Sequence, residues 1–133
     1  MFTLRNLGGI ALLLTGSTWL WLSPAFAGRG VSTTGVLWGI TRVLCLATMA
    51  GFVIATWGLF TRHTWWEQVA LGASVVGLVA LAPYWAAATG GGETAGTATW
   101  NVFVHLLMLG GVFVLLLVPA LEQWVDHQVM AGR

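Results

Sequence analysis

The stretch from Trp100 to Trp124 constrains this chain more than any other. It reads Trp-Asn-Val-Phe-Val-His-Leu-Leu-Met-Leu-Gly-Gly, then Val-Phe-Val-Leu-Leu-Leu-Val-Pro-Ala-Leu, then Glu-Gln-Trp. About 20 apolar residues at a rise of 1.5 Å cover roughly 30 Å, the hydrocarbon thickness of a bilayer. Hydrocarbon offers no water to backbone groups, so such a segment must satisfy them within itself, as a helix. A tryptophan at each end suits the headgroup region, where an amphipathic ring is at home. Asn101 and His105 are polar side chains just inside one end.

Three earlier segments repeat this design. The expectation is an all-α integral membrane protein: a four-helix transmembrane bundle, helices at about 7–27, 36–60, 68–88 and 99–121, forming one transmembrane domain over 1–133. Charged residues make up 7% of the chain, against about 25% in soluble domains, so the surface is mostly apolar and its solvent is lipid. All five cationic side chains are arginines and the acids number four. A formal charge of +1 gives no electrostatic reason to expect nucleic acid. The single cysteine, Cys45, cannot form a disulfide within the chain. A multi-pass protein of the plasma membrane is the expected setting.

The first segment, with Arg5 ahead of an apolar run and Ala25-Phe26-Ala27 at its end, also has the pattern of a secretory signal peptide. It is read as a retained helix, because Leu22-Ser-Pro-Ala-Phe-Ala27 recurs as Leu81-Ala-Pro-Tyr-Trp-Ala86 deep in the chain. Each copy precedes a Gly/Thr-rich link and a tryptophan, Trp38 or Trp100, followed by Arg42 or His105. Two hairpins related by a parallel internal repeat would give this recurrence.

Arg5, Arg62 and Arg133 fall on one side and Arg29 on the other, which predicts both termini in the cytoplasm. The tryptophans divide the same way: Trp19, Trp21, Trp38, Trp85 and Trp100 at outer ends, Trp57, Trp65, Trp66 and Trp124 at inner ends. Lipid tails supply no hydrophobic drive for helix association, so small residues at every fourth position are read as helix contacts. These are Ala47, Gly51 and Ala55 on the second helix, Ala73, Gly77 and Ala80 with Tyr84 beyond on the third, and Gly9 and Gly16 on the first.

Four residues are candidates for a binding site. Arg42 is a costly residue in an apolar helix; it points away from Gly51 and is expected to snorkel to outer phosphates or to meet a partner, a loop at Glu93 or an anionic ligand. His105 and Asn101 share a face one turn apart, so Asn101 can hold the imidazole in one tautomer. A satisfied interhelical histidine is the plain reading and haem ligation the sharp one, though no second histidine lies in a span. Arg42, His105, Asn101, Tyr84 and the outer tryptophans lie at one depth, where together they would suit a quinone carbonyl or a lipid headgroup. His63, Glu67, Glu122, Asp126 and His127 are expected to crowd the inner end as a solvated cluster without a recognised metal spacing. No residue is assigned a catalytic or metal-binding role.

The function expected from this pattern is that of an accessory or structural subunit of a larger membrane complex, energy-transducing and respiratory complexes included. Its partners would be the bilayer and other membrane subunits. The alternatives are a small transporter or channel completed by oligomerising, and a redox subunit that contacts quinone or haem through His105. A proton-coupled exporter would keep a carboxylate within the membrane, and none of the expected spans holds one.

Overall fold

The computed structural model describes residues 3–22, 35–90 and 94–130. Its regular structure is helical throughout: α1 (Leu4–Ser17) running into a 3-10 turn (Thr18–Leu22), α2 (Val36–Phe60), α3 (Trp66–Gly90), α4 (Ala95–Leu117) and α5 (Pro119–Met130). Three of these five helices, α2, α3 and α4, are long and apolar enough to cross a membrane.

The ends follow local chemistry. Thr3 and Thr94 cap α1 and α4, their hydroxyls accepting from the N–H of Asn6 and Thr97. Helix α2 closes with Arg62 at φ 60°, while the N–H of His63 donates to Gly58 O at 2.8 Å and that of Arg62 to Leu59 O at 3.2 Å. This is a Schellman ending, with arginine where glycine is usual.

Two expected helices come out differently. The first is α-helical only as far as Ser17 and tightens to 3-10 geometry through Leu22. The Ser17 and Thr18 hydroxyls donate back to the carbonyls of Leu14 and Thr15 there, competing with the helical ladder. Positions 23–27, with Ala25-Phe26-Ala27, the link carrying Arg29, Glu93 and Arg133 all lie outside the described residues. The second difference falls in Trp100–Trp124, which is two helices rather than one. Val118 is extended, with φ −79° and ψ 116°, because the residue before a proline is pushed out of the helical region. Pro119 then opens α5, the position where its missing N–H costs nothing. The expected polar tail is therefore mostly helix. Pro83, by contrast, sits inside α3 without ending it.

Helices α1 to α4 pack antiparallel, each on the next. Gly9 faces Phe60 and Gly16 faces Phe52 between α1 and α2; Gly51 faces Ala73 and Gly77 faces Thr48 between α2 and α3. Tyr84 meets Asn101 and Trp85 meets Thr99 between α3 and α4. The most extensive seam is α2–α3. On α2 it runs Trp38, Thr41, Cys45, Thr48, Phe52, Ala55, Leu59, and on α3 Trp66, Ala70, Ala73, Gly77, Ala80, Tyr84, Ala87, all buried. Alternating steps of three and four are the heptad of coiled-coil packing. The buried hydroxyls of Thr41, Thr48, Thr56 and Ser74 each donate to the carbonyl four residues back, at 2.7–2.8 Å, so none enters the core unsatisfied.

The small residues act mainly as notches for rings. A Cβ at Gly77 would lie 2.7 Å from Trp19 Cζ2, one at Gly58 2.7 Å from Trp65 Cζ3, and one at Gly9 2.5 Å from Phe60 Cζ. Gly51 against Ala73, at 2.7 Å between Cβ positions, is the small-on-small contact. Ala47, expected on that stripe, is exposed. Trp19, Trp38 and Trp66 are core residues, whereas Trp57, Trp65, Trp85, Trp100 and Trp124 are exposed, as belt residues should be.

Candidate functional site

At the Thr18 end of the bundle, α3, α4 and the 3-10 turn bring polar side chains together. Asn101 Nδ2 donates to Tyr84 Oη at 2.8 Å, joining α4 to α3. One turn on, His105 is buried. Its Nδ1 lies 2.7 Å from the carbonyl of Asn101 in its own helix, and its Nε2 lies 3.3 Å from the carbonyl of Thr18. Trp19 packs edge-on against the imidazole, with centroids 4.9 Å apart at 68°. Trp38 approaches Tyr84 in the same manner, at 6.3 Å and 77°.

Both imidazole nitrogens therefore face carbonyl oxygens, which only accept. A neutral ring carries one N–H and can satisfy one of them, and the 2.7 Å contact to Asn101 O selects Nδ1–H. Thr18 O belongs to the 3-10 turn that follows α1. His105 thus stands where the 3-10 turn is held against α4. The Thr18 hydroxyl, 4.0 Å from Met108 Sδ, adds a second contact between the same two elements. A metal or haem iron approaching Nε2 would have to displace the Thr18 carbonyl.

Of the four residues singled out by sequence, three are thus joined: Tyr84 to Asn101, and Asn101 through its backbone to His105. Arg42 is exposed on α2, flanked by the exposed Ile40 and Val43. Trp19 and Trp38, expected at the same depth, complete the cluster together with Thr18, which the sequence did not single out. Trp19 and Trp38 are read from sequence as belt residues; what draws each inward is a neighbour on another helix. The indole N–H groups of Trp19, Trp38 and Trp66 and the Nε of Arg5 are buried with no partner among the described residues.

At the opposite end, Glu67 in the first turn of α3 lies beside Glu122 and Asp126 of α5. His63 stacks on Trp65, with ring centroids 5.5 Å apart at 15°. Among the described residues, no three histidine, cysteine or carboxylate side chains are placed to hold a metal ion.

Comparison of the chain with protein-family models, with curated proteins and with solved structures finds no match.

Proposed function

We propose that this protein is an accessory or structural subunit of a larger membrane complex, held in the plasma membrane by four passes with both termini in the cytoplasm. The observation that carries the reading is how little of α4 is covered. Of its most apolar 18-residue stretch, 17% is buried within the chain, against 39% for α2 and α3. Its uncovered side presents Trp100, Phe103, Leu107, Gly110, Val114 and Leu117, spaced in alternating steps of three and four, the pattern that seats a partner helix. A Cβ added at Gly110 meets nothing within 4 Å, so a neighbouring helix can approach closely there. Helix α1 with its 3-10 turn supplies the fourth pass, since 14 and 5 residues at rises of about 1.5 and 2.0 Å cover roughly 31 Å. Energy-transducing complexes, respiratory ones among them, are the first partners to test.

Native mass measurement after gentle detergent extraction tests this directly. The expected result is the chain together with other membrane polypeptides. A clean monomer would overturn the reading, and a homo-oligomer would replace it with the transporter alternative, the same seam then serving self-association.

A further inference from the structure

Helix α1 packs on α2, and α4 packs on α3, but α1 and α4 scarcely touch. Between them lies an apolar groove of about 440 Å³. One wall runs along α1 from Leu4 to Thr15, the other along α4 from Met108 to Leu115, and Trp124 of α5 stands at its mouth. We propose that this groove binds one acyl chain of a phospholipid from the leaflet at the Leu4 end.

Length and chemistry agree on that occupant. From Leu4 to Thr15 the wall is about 16 Å long at the helical rise, and one leaflet of hydrocarbon is about 15 Å deep. A membrane-spanning partner helix needs roughly 30 Å of groove, about twice this length, whereas an acyl chain of one leaflet matches it. The groove is stopped at the end away from Leu4 by the His105–Thr18 contact. Apolar cavities of about 150 Å³ already take up small hydrocarbons rather than water, and this groove is larger. Trp124, which lines the groove, stands where the lipid's glycerol region would lie. The groove face of α4, Met108, Gly111 and Leu115, is distinct from the face bearing Leu107 and Val114. Failure here therefore leaves the partner-docking reading standing, and the reverse is also true.

The test is photolabelling in phosphatidylcholine vesicles containing phosphatidylcholine with a diazirine in one acyl chain. Label is expected on Ala11, Gly111 and Leu115 in preference to Leu107 and Val114. Gly111→Phe should abolish it. A Cβ at Gly111 meets nothing within 4 Å, and the same holds at Gly72 on α3, so Gly72→Phe serves as the folded control that keeps the label. Ala11→Phe fills the groove from the opposite wall and should give the same loss if Gly111→Phe misfolds. Even labelling around every lipid-facing side, or labelling untouched by both groove-filling variants, would overturn the proposal.

Discussion

His105 sits where a cofactor ligand would be sought, yet each of its two ring nitrogens lies against a backbone carbonyl. Its measurable contribution is then to stability. Its Nδ1–H bond to Asn101 O lies within α4, and a hydrogen bond of that kind is worth about 0.5–1.5 kcal/mol. An edge-on aromatic contact such as the one with Trp19 adds about 0.5–1.5 kcal/mol. His105→Ala is accordingly expected to destabilise the bundle by about 1–3 kcal/mol, read as a lower thermal midpoint in detergent. His105→Gln can still donate to a carbonyl and should recover part of the loss. An equal loss in both variants would show that the ring packing, and not the hydrogen bond, carries the contact. Three of the four candidate residues were legible as a group because their depth along two helices can be counted from sequence. Thr18 was not, since its contribution is a carbonyl that depends on where α1 loosens into 3-10 geometry.

Among the elements, the glycines separate into those filled by a neighbour and those facing open space. Gly77 holds the edge of Trp19, and Gly51 lies against Ala73; Gly72 and Gly39 face nothing within 4 Å. Gly77→Val must displace a buried indole, at a cost of about 1–3 kcal/mol for overpacking. Gly72→Ala should instead stabilise by about 0.5–1 kcal/mol, the usual helix-interior gain. Chemical denaturation in mixed detergent micelles distinguishes the two, and similar effects at both positions would refute the division. A second prediction concerns the break at Val118. Pro119→Ala removes the steric bar on Val118 and supplies a backbone donor, so helical content by circular dichroism should rise as α4 and α5 merge; an unchanged spectrum would mean that tertiary packing, not proline, makes the break. The positions of α2, α3 and α4 were readable from length and hydropathy. Which side of each helix is buried was readable from small-residue spacing, through Gly51, Ala55, Ala73, Gly77, Ala80 and Tyr84, but not from hydropathy, because in a chain 58% hydrophobic apolarity no longer marks the interior. Spacing of hydroxyls and ring-sized residues marks it instead: Thr41, Thr48 and Phe52 lie on the seam that Ala47 was expected to share.

For the molecule as a whole, the seams are unequal in a way that bears on function. A two-fold relation between an α1–α2 hairpin and an α3–α4 hairpin would ask the α1–α4 seam to mirror the α2–α3 seam. The second is the most extensive contact in the chain and the first is open. Sequence recurrence such as Leu22–Ala27 against Leu81–Ala86 speaks to ancestry and composition; it does not require equal packing. The opening leaves α4 anchored on one side, through Ala98, His105, Leu109 and Leu116, with its opposite side uncovered. A substitution on that side should cost the isolated chain nothing and cost the assembly a great deal. Gly110→Leu is the sharpest case. The added side chain meets no atom of its own chain within 4 Å at Cβ, so the thermal midpoint of the purified chain should hold or rise slightly, as leucine is the better helix former. In extracts analysed by native mass measurement, the same variant should lose its partner polypeptides, because a bulky residue at the closest point of a helix crossing holds the backbones apart. Retention of partners in Gly110→Leu, together with their loss in Arg42→Ala, would move the docking face from α4 to the outer side of α2.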